Sequence, residues 1–175
     1  PIVAPGDSVA GVVPGRVPTR LMEAMEAAII HEDAKLLVID KPSGIAVHGG
    51  SGIGFGVIEA LRASRPEETL ELVHRLDRDT SGCLLVSRRR SMLRSLHAML
   101  REDACDKRYL ALLRGKWELG KKLIDAPLRT DLRVGGERTV RVDPNGKTAQ
   151  SEFRPVQFFG NLATLVEVRL LTGRT

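Results

Sequence analysis

Residues 74–82 read His-Arg-Leu-Asp-Arg-Asp-Thr-Ser-Gly, and residues 83–86 continue as Cys-Leu-Leu-Val. Asp77 stands between Arg75 and Arg78, the turn formers Thr80, Ser81 and Gly82 follow, and the apolar run then reads as a strand. A carboxylate held in a basic loop beside a strand is a candidate catalytic group in a site that also attracts phosphate. The same residues are ordinary loop chemistry, so on this stretch alone Asp77 reads equally well as a turn aspartate salt-bridged to Arg75 or Arg78.

Working outward, helical spacing of Leu21, Met22, Met25 and Ile29 predicts a short helix over 20–28. Apolar β-branched runs on either side of Asp33 and Ala34 predict two strands within 29–39, and Pro42, Ser43 and Gly44 mark a loop. A helix is expected over 57–63, and a clearer one over 91–101. In the latter Ser91 is the expected N-cap, Met92, Leu93, Leu96, Met99 and Leu100 share a face, and His97 lies off it, exposed. After Lys107 the texture is that of strands, over 109–113, 122–124, 139–142, 150–159 and 162–171, with turns at 143–146 and at Gly160-Asn161. The fold class expected is α+β, a mostly antiparallel mixed β-sheet with flanking helices. Residues 1–20 hold four prolines and three glycines and read as a linker or tail, leaving 21–175 as the folded part, a single domain by size.

Composition excludes several classes. No apolar run approaches a membrane span, and no charged start leads into an apolar stretch, so a soluble, cytoplasmic protein without membrane partners is expected, as a monomer. Cys83 and Cys105 are the only cysteines and form no CxxC pair; Cys83, within its apolar run, reads as a buried free thiol. The histidines at 31, 48, 74 and 97 lack ligand spacing, and no metal is expected. The glycines of 49–56 match neither GxGxxG nor GxxxxGK[ST], which rejects a nucleotide-binding loop. A net charge of +5 fits a polyanionic partner, with Arg88-Arg89-Arg90 the most compact basic cluster and a looser basic stretch over 121–147; for any one of these residues a solvated surface position is the ordinary reading.

Four segments in order resemble the motifs of the RNA pseudouridine synthases of the ribosomal large-subunit type. They are Asp-Lys-Pro-Ser-Gly-Ile-Ala-Val-His-Gly-Gly at 40–50, the stretch at 74–82, Lys-Arg-Tyr-Leu-Ala at 107–111, and Thr-Gly-Arg-Thr at 172–175. The resemblance implies isomerisation of uridine to pseudouridine in 23S ribosomal RNA, without a cofactor; transfer RNA is the alternative substrate, and a non-catalytic RNA-binding or ribosome-assembly module the alternative function. By the same resemblance Asp77 is the catalytic aspartate, nucleophile or base, Arg75 occupies the space left by a flipped-out nucleotide, and Tyr109 stacks on the displaced uracil. In the family, His-Gln-Ile-Arg follows Thr-Gly-Arg-Thr and carries the arginine that pairs with the aspartate. Residues 21–175 are therefore expected to be the N-terminal part of a catalytic domain, ending after Thr-Gly-Arg-Thr, with an RNA-binding module of the S4 type a common preceding neighbour.

The residues keep their plainer readings beside these. Arg75 is placed to salt-bridge Asp79, and a lone tyrosine on a strand ordinarily packs into a core. A Ser81-His74-Asp77 hydrolase lacks the GxSxG elbow, a kinase loop is interrupted by Leu76, and Asp77 and Asp79, two apart, are not assured of facing each other as a carboxylate pair.

Overall fold

Alternation along Leu36–Lys41 turns Leu37, Ile39 and Lys41 inward, and the strand they form is the centre of the first of two compact units, 1–98 and 99–175. The computed structural model describes residues 16–50, 54–102, 104–132 and 138–172. In unit 1, α1 (Thr19–Ala27) leads into β1 (Ile29–Glu32) and β2 (Leu36–Lys41); α2 (Val57–Ser64) precedes β3 (Glu71–Leu72) and β4 (Gly82–Ser87). The strands form one antiparallel sheet in the order β1-β2-β4-β3. Met25 from α1, Val57 and Leu61 from α2, and Leu37, Ile39, Leu84 and Val86 from the sheet are fully buried and make its core. Arg65, just past α2, is ion-paired to Glu26 at 2.7 Å, Glu32 at 2.7 Å and Glu68 at 3.4 Å, and Arg88 after β4 reaches Glu68 at 2.7 Å and Glu32 at 3.1 Å. This half-buried network fastens α1, β1 and the segment after α2 to one another.

The long helix α3 (Arg90–Arg101) begins one residue before the expected Ser91. Its start is held by Ser87, whose buried hydroxyl donates to the Arg89 carbonyl at 2.7 Å and accepts from the Arg89 amide at 3.2 Å; Ser91 is exposed and caps nothing. His97 is half-buried rather than exposed, its Nε2 lying 3.0 Å from the Val73 carbonyl oxygen. Met99, expected on the apolar face, is 43% exposed.

Unit 2 contains β5 (Lys107–Arg114), β6 (Lys122–Asp125), β7 (Leu128–Leu132), β8 (Arg138–Val142), β9 (Gln150–Phe159) and β10 (Ala163–Leu170). Four of these form an antiparallel sheet in the order β5-β10-β9-β6, while β7 and β8 pair as a separate hairpin. Thr164, Val166 and Val168 are buried on one face of β10 as their alternation requires, but Leu162, the first residue of the strand expected over 162–171, is 82% exposed because the strand begins only at Ala163. The chain is thus α+β with antiparallel sheets, as the residue patterns predict. Among the described residues no helix is long and apolar enough to cross a membrane.

Candidate functional site

The pairing of β2 with β4 sets Lys41 opposite Gly82 and Asp40 opposite Cys83, so the loop that leaves β2 and the loop that enters β4 meet at the same end of the sheet. Those loops are residues 42–50 and 74–81. They are cross-tied: the Gly44 amide donates to the Arg78 carbonyl at 2.9 Å, the Ser43 hydroxyl to the Asp79 carbonyl at 2.8 Å, and Arg78 Nε to the Gly44 carbonyl at 3.2 Å. Gly44 and Gly82 sit at φ of 86° and 111°, where a side chain would strain the two turns.

Beneath both loops lies Lys41, whose side chain is fully buried. Its ammonium donates to the carbonyl oxygens of Pro42 at 2.9 Å, Ile45 at 2.8 Å and Arg78 at 3.1 Å. Burial pushes the ammonium's pKa down from its ordinary value, and the carboxylates of Asp79 and Asp77 push it back up. A cation fixed under a loop that carries two acids binds the loop's backbone and its charge at once.

Between the loops opens a cleft of about 250 Å³ lined by residues 46–50 and 75–78, which include Arg75, Asp77, Arg78 and His48. Asp77 is exposed at this cleft, and its carbonyl accepts the Thr80 amide at 3.1 Å, closing the turn. Among the described residues its carboxylate has no hydrogen bond or ion pair, so the salt bridge that a turn aspartate would make is not formed. Arg75 is exposed and equally without a side-chain partner; Asp79 pairs instead with Arg78, at 3.9 Å, in a contact too solvated to contribute much.

The far wall is held by Glu59 in the first turn of α2, whose Oε2 accepts the amides of Gly56 at 2.8 Å and Gly49 at 3.0 Å. The amides of Val57 and Ile58 donate to Ala46 and Val47 at 2.9 and 3.1 Å, so α2 starts against the cleft-lining segment. A Cβ on Gly56 would lie 2.5 Å from the Ala46 oxygen, which explains the glycine there.

His74 closes the arrangement from inside: its Nε2 accepts the Leu85 amide at 3.1 Å, fixing the approach to Asp77 against β4. Burial lowers its pKa from the ordinary 6.5, while a hydrogen bond to the Arg75 backbone opposes the shift. With the folded value below the unfolded one, the unfolded chain takes up the proton first. Stability is therefore expected to fall as pH drops below about 6.5 and to level off below the folded pKa. Denaturant midpoints between pH 7 and 5 should show this fall, reduced in His74→Gln, whose amide oxygen can still accept from Leu85; matching profiles would exclude His74 as the source.

Cys83 is exposed rather than buried, because on β4 the inward positions are Leu84 and Val86. Arg75 and Asp77 thus share one cleft. Tyr109 belongs to β5 of unit 2, half-buried opposite Val168 on the face it shares with Ala111 and Leu113. Of the segment at 172–175 only Thr172 is described, where its hydroxyl accepts the Gln150 amide at 2.9 Å; 173–175 lie outside the described residues, as do 1–15 of the expected tail. Among the described residues no cluster of potential metal ligands occurs.

Residues 35–175 match the family model described as RNA pseudouridylate synthase. The ribosomal large subunit pseudouridine synthase C of Salmonella typhi is 54% identical over 153 residues, 87% of this chain and 48% of that protein. The enzyme of the same name from Pasteurella multocida is 55% identical over 152 residues, 86% and 46%. The chain spans about half the length of the curated relatives it matches. Among solved structures, human RNA pseudouridylate synthase domain containing 4 superposes with a TM-score of 0.72 over 89% of this chain and 63% of that one, at 24% identity, a likeness of fold.

Proposed function

The chain belongs to the RNA pseudouridylate synthase family, and on that premise we propose that it isomerises uridine to pseudouridine in 23S ribosomal RNA. The observation that carries the reading is Asp77, a carboxylate without a hydrogen bond or ion pair among the described residues, at a cleft between two arginines, on a loop whose backbone is pinned from below by a buried lysine. The reaction breaks the bond from ribose C1′ to uracil N1, turns the base, and joins C1′ to C5. It calls for a group that attacks the nucleoside or takes a proton from the sugar, and an ionised carboxylate can do either. The Lys41 ammonium under the loop is coupled in turn to the carboxylates of Asp79 and Asp77, which oppose the effect of its burial.

Arg75 has the complementary role. A uridine within an RNA stack hides its C1′, so the nucleotide must leave, at a cost of a few kcal/mol that protein contacts offset. An exposed guanidinium beside the aspartate suits the vacated space, because it stacks on bases and bonds phosphate. Tyr109 supplies the stacking surface for the displaced uracil. The protein acts in this reading as a cytoplasmic monomer.

The test is chemical mapping of pseudouridine in ribosomal RNA from cells lacking the gene, complemented with the wild-type protein or with Arg75→Ala. Specific 23S positions should lose the modification and regain it with the wild type, while Arg75→Ala restores it poorly in structured regions. Unchanged 23S RNA would overturn the reading, and loss confined to transfer RNA would move the substrate there. Full restoration by Arg75→Ala would remove the flipping role.

A further inference from the structure

We infer that Arg89, Arg90 and Arg94 form a ridge that grips the phosphate backbone of structured RNA, an inference that rests on the reading above for its partner but not for its geometry. Arg90 and Arg94 are four residues apart on α3, so they leave the same side of the helix one turn apart, about 6 Å along its axis. Arg89 immediately precedes them. All three are exposed, and among the described residues none of their guanidinium groups has a hydrogen bond or an ion pair. Their neighbour in the basic run behaves differently: Arg88 is spent on Glu68 and Glu32. On the sheet of unit 2, Arg108, Arg154 and Arg169 each find a carboxylate within 3.3 Å.

The direction of the helix adds an independent argument. Its N-terminal end carries partial positive charge, which disfavours cations in the first turns, and no acidic residue stands there to offset it. Arg101 lies in the last turn, where the helix favours a cation, and needs no partner. Three unpaired cations at the end of a helix that repels them fit an anion supplied from outside. Phosphodiester oxygens are the matching chemistry, since the planar guanidinium bonds them in pairs. The residues beside the ridge, Ser91 and Ser95, are exposed and polar, so this side of the helix lacks the apolar anchors of a helix that lies on a membrane.

The experiment measures equilibrium binding of the full-length protein to a 23S ribosomal RNA fragment, and to an unrelated structured RNA, across a series of salt concentrations. Substituting Gln together at Arg89, Arg90 and Arg94 should make the slope of log affinity against log salt shallower by about 2 to 3, at roughly 0.7 to 0.9 per lost contact. Both RNAs should lose affinity alike, since phosphate contacts carry no sequence information. Substituting Lys at the same three positions should restore the slope. An unchanged slope in the Gln variant would overturn the ridge, leaving a solvated face or one used by a different kind of partner. The two readings fail separately: slope loss without pseudouridine formation by the wild type sinks the isomerase and keeps the ridge, and pseudouridine formation with an unchanged slope does the reverse.

Discussion

Asp77→Asn is expected to lower pseudouridine formation by roughly 10⁴-fold or more, the upper range for removing a single acid-base or nucleophilic group. The substitution keeps the shape of the side chain and removes only its charge and its basicity. The carboxylate has no hydrogen bond or ion pair among the described residues and is exposed at the cleft, so the fold feels its charge only through the field at buried Lys41, where it is the smallest of the influences. Stability should therefore stay within about 0.5 kcal/mol of the wild type, as for surface substitutions away from networks. RNA affinity should hold or rise, since the aspartate stands between Arg75 and Arg78 and repels the phosphates they attract. The assay is release of the C5 hydrogen from RNA tritiated at that carbon of uracil, run beside a binding titration. An Asn variant that turns over at wild-type rates would remove Asp77 from the chemistry; one that fails only by losing RNA affinity would make it a binding residue.

What the amino-acid pattern disclosed about this site, and what it hid, divides along physical lines. The basic loop with its aspartate is legible because charged and turn-forming residues announce an exposed, irregular segment, and the strand after it is legible from Leu84 and Val86. Strand and helix positions with a clear period came through: α2, α3, β5, β9 and β10 lie within a few residues of where periodicity puts them. Two elements carried too little signal. The strand β3 is two residues long, and β7 reads Leu-Arg-Thr-Asp-Leu after a proline, so polar residues mask it until it pairs with β8. Cys83 shows a subtler error: an apolar run does not bury every member, because alternate positions on β4 face opposite sides.

The residues missed at the site are those whose roles depend on distant parts of the chain. Glu59 had a usable signal, an acid at the third position of a helix that follows a glycine, which is where a carboxylate reaches back to free amides. That it would also take the Gly49 amide, ten residues away, could not be read locally. His74 carries no local signal for its acceptor role, which is fixed by an amide on β4. Lys41 stands within the segment at 40–50, where a lysine ordinarily reads as solvent-exposed and so gives no sign of a buried role. One of its partners, the Arg78 carbonyl, lies 37 residues along the chain and becomes a neighbour only when β2 and β4 pair.

That hidden lysine makes the second large effect. Lys41→Met keeps the length and apolar stem of the side chain and deletes three donated hydrogen bonds. Two opposing contributions decide the sign. Relief of the buried ammonium's desolvation favours the methionine, and the downward pull on its pKa says that this relief is real. Against it, the Arg78 carbonyl keeps the Gly44 amide, but the carbonyls of Pro42 and Ile45 lose their donor, and no other donor among the described residues replaces it. At about 1–3 kcal/mol for a sheltered acceptor left unsatisfied, with exposed Pro42 able to turn to water but the charged donor's own bonds lost as well, the second contribution wins by about 2 kcal/mol. Both loops should loosen together, because the lysine bonds the two of them at once from below. Denaturant unfolding should report the stability loss, and hydrogen exchange at the Gly44 amide, normally sheltered by the Arg78 carbonyl, should accelerate beyond what global unfolding accounts for. Pseudouridine formation should fall with it even at temperatures where the variant stays folded, because Asp77 then samples positions away from the cleft between Arg75 and Arg78. A Met variant with wild-type exchange at Gly44 and wild-type turnover would mean that the loops hold their geometry without the cation, and that the charge beneath Asp77 is incidental to the site.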